Sequence, residues 1–142
     1  MEEVDEEILS LVDSGITRYT AIAKKLNMNL STVHFRIKKL EKAGIIKRYR
    51  GDIDWAKAGF PFMAFVFVNI DVDLLKKLGK TQEQLLKELL GNAFVREGYV
   101  ITGDQDIMLR VIARDSAHFK DILLKHIDSK SGVVKTKTII AL

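Results

Sequence analysis

Residues 27–52 read NMNLSTVHFRIKKLEKAGIIKRYRGD, and this stretch decides how the N-terminal part of the chain is built. Val33, Ile37 and Leu40 recur at the three- and four-residue spacing of a single helix face. Asn29, directly before the apolar repeat, is a favourable N-cap residue. The stretch therefore predicts an amphipathic helix that begins just after Asn29.

The same stretch is strongly basic. It contains seven Lys or Arg residues against two acids. The chain as a whole has a net charge of +4, but residues 1–15 carry −6, residues 16–50 carry +9 and residues 51–142 carry +1. This concentration of positive charge is typical of a nucleic-acid-binding module attached to a domain with another task.

Two further helices are predicted upstream. Apolar residues at helical spacing indicate a first helix over residues 3–13 and a second, short helix from Tyr19 to Leu26. Gly44 supplies the stop after the third helix. Two short helices joined by a tight turn make a helix-turn-helix, in which the third helix of the chain is the recognition element.

A helical wheel selects the residues that can meet DNA. Ser31 and His34 lie in the N-terminal turns and can reach base edges, Phe35 can contact a thymine methyl group, and the lysines further along suit phosphates. Arg36 lies at the core margin, where its stem can pack while its head reaches the DNA backbone. The predicted DNA-binding residues are Ser31, Thr32, His34, Phe35, Arg36, Lys38, Lys39, Lys42, Lys47, Arg48 and Arg50.

The last three of these residues follow the helix, in the segment IIKRYRGDID (residues 45–54), which alternates apolar and basic residues. This pattern predicts the small β wing of a winged helix, turning at Gly51 and Asp52. A plainer interpretation stays open, because Lys-rich helix faces can simply be solvated. His34 is a poor metal-ligand candidate, since no second histidine or acidic cluster lies near it in the sequence.

Composition narrows the class of protein. Hydrophobic residues make up 47% and charged residues 30% of the 142 residues, which is typical of a folded, soluble chain. The absence of cysteine excludes disulfides and thiolate metal sites and suits a reducing cytoplasm. The acidic start is unlike the basic beginning of a signal peptide. The longest apolar stretch, residues 58–70, is about half the length of a membrane span. We expect a cytoplasmic protein with no cofactor.

From residue 58 onward the pattern indicates an α+β domain. In order, it predicts a strand over 60–70, a helical segment over 74–90 that is interrupted near Gly79, strands over 94–102 and 107–113, a helix capped by Asp115, and a strand over 133–142. The order strand, helix, strand, strand, helix, strand is the ferredoxin-like βαββαβ arrangement.

The first of these strands is apolar on both sides. Its alternating sets include Phe62, Ala64 and Val66 on one side and Phe65 and Phe67 on the other. Both helices of a ferredoxin-like domain cover one face of the sheet, so something else must cover the other face. The pattern therefore predicts a homodimer, which would also present two recognition helices to a two-fold symmetric DNA site.

The run NLSTVHFRIKKLEKAGIIKRY, the following GDID and the later hairpin TGDQD together resemble the Lrp/AsnC (leucine-responsive, or feast/famine) family of transcriptional regulators. The resemblance covers nearly the whole chain. It implies a winged helix-turn-helix DNA-binding domain (1–50), a linker or hinge strand (51–59) and a RAM-type domain (60–142) that dimerises through its sheet. It also implies assembly up to octamers and a free amino acid bound where dimers meet.

The resemblance further implies the effector-binding residues Thr102, Gly103, Asp104, Asp106, Thr136 and Thr138. The chemistry fits an amino acid zwitterion, because a carboxylate can bind the ammonium group while hydroxyl groups donate to the carboxylate. Gly-Asp at a hairpin tip is also ordinary turn chemistry, so this alternative stays open. Three residues depart from the family pattern. Gln105 stands where an aromatic residue is common, Asn29 where the cap is commonly serine, and Phe35 where a basic or polar residue is frequent.

Three functions compete at this point. The first is a transcription regulator whose DNA binding responds to an amino acid, and the second is an effector-independent DNA-organising protein of the same fold. The third is an enzyme, since relatives with this layout act as sirohaem decarboxylases. A decarboxylase needs a cluster of proton-transferring and anion-binding groups, whereas His118 and His126 lie apart on an amphipathic helix. We therefore expect no enzymatic activity.

Overall fold

A computed structural model describes residues 1–142. The chain divides into two compact units, Met1–Ile53 and Asp54–Leu142. Each unit has an apolar cluster of its own.

The N-terminal unit consists of three helices, α1 (Glu3–Asp13), α2 (Tyr19–Leu26) and α3 (Leu30–Lys42). Each helix contributes fully buried side chains to the shared core, among them Ile8, Ile22, Val33 and Ile37. The helices lie where the apolar periodicity predicts them, and α2 and α3 form the expected helix-turn-helix.

Local turn chemistry fixes both ends of α3. Asn27 adopts a left-handed conformation (φ 51°), which lets the chain turn sharply between α2 and α3. Asn29 occupies the N-cap position, although its side chain makes no capping hydrogen bond. Gly44 has φ 75°, and the N–H of Ile45 donates to the carbonyl of Leu40, so the helix ends as the sequence predicts.

The expected β wing does not form in this chain. Residues 47–54 are neither helical nor paired in a sheet. Of the apolar residues in the segment, Ile46 is buried while Ile45, Tyr49 and Ile53 are exposed. A hairpin needs a second strand and an apolar face to hold it, and an isolated two-stranded hairpin is marginal in water. The segment is therefore a connection without regular secondary structure rather than a hairpin.

The C-terminal unit has the predicted βαββαβ order. Its elements are β1 (Phe62–Ile70), α4 (Val72–Lys77), α5 (Gln82–Leu89), β2 (Val95–Val100), β3 (Ile107–Ala113), α6 (Ser116–Ile122), a π-helical turn (Leu123–Ile127) and β4 (Val133–Ile140). All neighbouring strands are antiparallel, and their order across the sheet is β2-β3-β1-β4. The fold is thus α+β and ferredoxin-like.

The helices cover one face of this sheet. Ala64, Val66 and Val68 of β1 are fully buried against helical residues such as Leu85 and Phe119. The predicted interruption of the first helical segment separates α4 from α5 at Gly79, and Thr81 opens α5 with a capping box.

The opposite face of the sheet is apolar and only partly covered. Phe65 and Phe67 of β1 lie on this open face, beside Met108 of the neighbouring strand, and all three are half-buried in the single chain. Arg110 and Glu97 form an ion pair of 2.6 Å on the same face. No helix of the protein is both long enough and apolar enough to cross a bilayer.

Candidate nucleic-acid interface and effector site

The outward face of α3, which we define as Ser31, Phe35, Lys38, Lys39 and Lys42, is exposed along the length of the helix. This face points to solvent because the residues on the opposite side of α3, Val33, Ile37 and Leu40, are buried in the core. No acidic residue belongs to this face. It therefore presents a hydroxyl group, an aromatic ring and three ammonium groups to solvent.

The remaining polar residues of the first turns flank this face. Thr32 is half-buried, and its N–H donates to the Asn29 carbonyl at 3.1 Å. His34 is exposed but makes an edge-to-face contact with Tyr19 of α2, with 5.3 Å between ring centroids. The contact orients the imidazole beside the turn between the two helices and leaves its rim open to solvent.

A small network joins α3 to the segment that follows it. Lys38 forms an ion pair with Glu41 at 3.4 Å, and the attraction of that carboxylate raises the pKa of Lys38. The Tyr49 hydroxyl donates to the other oxygen of Glu41 at 3.1 Å. Desolvation, followed by this hydrogen bond, raises the pKa of Tyr49 to about 12. Tyr49 is thus tied to the helix.

Lys47, Arg48 and Arg50 are exposed on either side of Tyr49. Because Tyr49 is bonded to α3, these three cations stay near the C-terminal end of the outward face even though no wing is formed. Sequence reasoning did not identify this tether. The available signal was Glu41, the one acid within α3, eight residues before a tyrosine in a basic run.

Arg36 differs from the other candidate DNA-binding residues. Its guanidinium donates to Glu2 at 2.7 Å and to Asp5 at 3.1 Å, so its head turns toward α1 instead of away from the core. Hydrogen bonds to Glu2 and then Asp5 raise the pKa of Arg36 above its usual value. The side chain fastens the start of α1 to α3, a role that a helical wheel of α3 alone could not reveal.

The hairpin TGDQD (residues 102–106) connects β2 to β3 and is bonded to the end of β1. The Asp106 carboxylate accepts from the N–H of Ile70 at 2.9 Å, and the Asp104 carbonyl accepts from the Asn69 side chain at 2.8 Å. Asp106 therefore holds the backbone at the β1 end, whereas the Asp104 carboxylate lies at the exposed tip.

Two other residues of the hairpin have unusual surroundings. Gly103 has φ 131°, a conformation that favours glycine, and no atom lies within 4 Å of where a Cβ would stand. A side chain at this position would strain the backbone, although open space lies beside it. The side-chain oxygen of Gln105 is buried and receives no hydrogen bond within the chain.

Thr136 and Thr138 lie on β4 and are half-buried. Val68 of β1 is paired with Ile107 on one side and with Thr136 on the other, so β1 separates the hairpin from Thr136 by roughly two strand spacings, about 10 Å. Thr138 lies two residues further from the hairpin end of the sheet. The structure thus brings Thr102, Gly103, Asp104 and Asp106 together and places Thr136 at the same end of the sheet, but not in direct contact.

The two histidines of the C-terminal helix take part in internal hydrogen bonds. His118 Nδ1 accepts the backbone N–H of Arg114 at 3.0 Å. His126 Nε2 lies 2.7 Å from the Leu89 carbonyl oxygen, which can only accept, so this nitrogen carries the proton. No group of three or more His, Cys, Asp or Glu side chains is arranged to hold a metal ion.

Both units of the chain match known protein families. Residues 1–47 match the family described as winged helix-turn-helix DNA-binding, and residues 64–142 match the Lrp/AsnC ligand binding domain. The chain belongs to the Lrp/AsnC family. It is an HTH transcriptional regulator with a ligand-binding domain.

Relatives of similar length support this membership. An HTH-type transcriptional regulator of Pyrococcus furiosus is 32% identical over 144 residues, covering 100% of this chain and 91% of the relative. The regulatory protein AsnC of Haemophilus influenzae is 28% identical over 143 residues, with 100% and 91% covered.

Solved structures share the Lrp/AsnC fold. E. coli AsnC has a TM-score of 0.76 at 25% identity, covering 100% of this chain and 92% of that one. A transcriptional regulator of Neisseria meningitidis, solved in complex with L-Met, has a TM-score of 0.80 at 21% identity, with 100% and 90% covered.

Proposed function

We propose that the chain is a homodimeric, sequence-specific regulator whose DNA affinity or assembly changes when a free amino acid binds at the hairpin of residues 102–106. The DNA-binding part rests on the outward face of α3, which is exposed along its length and positive over its C-terminal half. A surface of this charge attracts a polyanion, and the N-terminal turns of a recognition helix enter the major groove.

The DNA-binding residues divide by chemistry. Ser31, Thr32 and His34 lie at the start of α3 and can exchange hydrogen bonds with base edges. The cations further along α3 and on the tethered segment, namely Lys38, Lys39, Lys42, Lys47, Arg48 and Arg50, suit phosphates. Arg36 is the exception, since its ion pairs with Glu2 and Asp5 favour a structural role.

The effector part rests on the hairpin. The Asp104 carboxylate is exposed at the tip, next to the open space beside Gly103, and it is the candidate partner for an ammonium group. Asp106 supports the tip through its bond to Ile70. Thr102 would supply a hydroxyl donor beside the tip. Thr136 lies at the same end of the sheet, where its hydroxyl donates to Asp128 at 3.4 Å, and Thr138 lies two residues further from that end. A protein of this fold has been solved with L-Met, which makes an amino acid the first class of ligand to test.

The homodimer rests on the open face of the sheet. Phe65, Phe67 and Met108 form a half-buried apolar surface there, and a second copy of the chain would remove it from water. Assembly of such dimers to an octamer follows the family pattern. The protein would act in the cytoplasm, without enzymatic activity or a cofactor.

The second candidate, an effector-independent DNA-organising protein, shares every feature of the DNA-binding unit. A thermal-unfolding screen against each of the twenty amino acids separates the two functions. We expect one or a few amino acids to raise the unfolding temperature and to change the affinity for duplex DNA, because a ligand that binds the folded state stabilises it. Stabilisation by none of them would favour the DNA-organising protein.

The Asp104→Asn variant locates the site. It removes the charge at the hairpin tip while preserving size, so we expect it to abolish the amino acid response and to leave basal DNA binding intact. Asp73→Asn, which neutralises an exposed aspartate in α4, is the matched control and should respond as the wild type does. An unchanged response in Asp104→Asn would place the effector elsewhere. Loss of carboxyl groups from sirohaem on incubation with the protein would instead support the decarboxylase.

A further inference from the structure

Phe35 is the one large apolar side chain on the outward face of α3, and 66% of its surface is exposed. It takes no part in the apolar cluster of the N-terminal unit. Single exposed apolar residues are ordinary on protein surfaces. Phe35 is distinguished by its place, in the second turn of the recognition helix at the centre of the surface proposed to meet DNA.

The neighbours of Phe35 along the helix are all polar. Ser31 lies one turn before it, Lys38 and Lys39 lie one turn after it, and Lys42 lies two turns after it. A partner protein that covered the ring through an apolar surface would also have to desolvate these ammonium groups without compensation. The polar and positive residues around Phe35 therefore favour a polyanionic partner that has an apolar group between its charges.

Duplex DNA has one such group in the major groove. The C5-methyl of thymine projects from the base edge, while the other groups exposed there are hydrogen-bond donors and acceptors. The lysines around Phe35 are positioned to contact the phosphates that border the groove. A benzene ring held between them cannot exchange hydrogen bonds with a base, so apolar contact with this methyl group is the contact it is suited to make.

We infer that Phe35 is a specificity-determining residue that reads the C5-methyl group of thymine, so that each half-site contains a T·A pair selected by its methyl group and not by its hydrogen-bond pattern. This inference rests on the proposed function. Uracil pairs with adenine and presents the same acceptor as thymine but lacks the methyl group. Burial of one methyl group corresponds to about fourfold in affinity.

The test uses duplexes recovered by the full-length protein from a random pool, in which each thymine is replaced singly by uracil. Fluorescence anisotropy at fixed salt gives the affinity of each duplex. We expect one position in each half-site where uracil weakens wild-type binding by about fourfold. In Phe35→Ala the thymine and uracil duplexes should bind equally at that position. Changing that pair to C·G and then methylating the cytosine at C5 should strengthen binding by the wild type more than by Phe35→Ala.

Leu30→Ala is the matched control. Leu30 is 49% exposed and begins α3, but it lies about 140° around the helix from Phe35. We expect this variant to keep the wild-type sensitivity to uracil. Both substituted side chains are exposed, and circular dichroism of each variant checks that the helices are retained.

Two results would overturn the inference: wild-type binding that is indifferent to uracil at every position, or a Phe35→Ala variant with undiminished sensitivity. Either result leaves DNA binding itself intact. Failure of the wild type to bind any duplex is a different outcome, because it would overturn the proposed function together with the inference.

Discussion

Tyr49 shows how a single residue connects the fold to the proposed function. Its hydroxyl bonds to Glu41 of α3, and it is flanked by Arg48 and Arg50. The basic segment has no sheet to hold it, and this hydrogen bond ties its middle to the recognition helix. The exposed position of Tyr49 means that the bond orients the segment more than it stabilises the unit.

The raised pKa of Tyr49 predicts a pH effect. The phenol ionises near pH 10 in the unfolded chain but near pH 12 in the folded one, so its contribution to stability is complete below about pH 10 and is lost as the pH rises toward 12. Urea unfolding of the wild type and Tyr49→Phe, at about pH 9 and about pH 11, should show the wild type losing stability relative to the variant. Parallel changes in the two proteins would contradict the raised pKa of Tyr49.

For single residues, the sequence predicted where a side chain lies better than it predicted which residues the side chain bonds to. The helical wheel put Arg36 at the core margin, where its stem lies, but its partners Glu2 and Asp5 lie at the start of α1, about thirty residues earlier. Long-range ion pairs depend on how helices pack, which periodicity within one helix does not encode. The same limit applies to Asp106, whose bond to Ile70 becomes visible when β1 and β3 are paired.

Among the elements, α3 is the one whose lysines should make DNA binding depend on salt. Each phosphate contact made by a lysine contributes about one unit to the slope of log affinity against log salt. Lys39→Gln with Lys42→Gln should therefore weaken duplex binding and make this slope shallower by about two. Glutamine has nearly the helix propensity of lysine, so α3 itself should persist.

Lys76→Gln with Lys77→Gln is the control for that measurement, since it removes two charges from α4 in the other unit. We expect its salt slope to equal that of the wild type. Equal slopes in all three proteins would show that α3 does not contact phosphates.

The elements themselves were largely predictable, with one informative exception. Strong periodicity and cap residues identified the three helices of the first unit, and β-branched and aromatic runs identified the strands of the second. The alternating segment 45–54 was wrongly expected to form a hairpin, because alternation describes a strand but does not supply its partner.

For the whole molecule, the open face of the sheet carries the prediction of a dimer. Phe65→Asp replaces an apolar ring of that face with a carboxylate, which contact with a second copy would strip of water, so we expect a homodimer to dissociate to monomers. Sedimentation equilibrium measures the change, and circular dichroism verifies the fold.

Leu124→Asp serves for comparison, because Leu124 is 53% exposed on the helical side of the same unit. In sedimentation equilibrium, this variant should have the same oligomeric mass as the wild type. A monomeric wild type, or a Phe65→Asp variant that remains dimeric, would show that the sheet face is not a dimer interface. The sequence predicted an uncovered apolar face, but which molecule covers it depends on an assembly that one chain does not contain.

The central claim is that α3 recognises specific DNA and that an amino acid bound in the second unit changes this recognition. Selection of bound duplexes from a random pool, with and without a mixture of the twenty amino acids, tests it most directly. We predict enrichment of a two-fold symmetric sequence, with a recovery that changes when the amino acids are present. A pool that remains random in both arms would contradict sequence-specific recognition, and identical enrichment in both would contradict control by an amino acid.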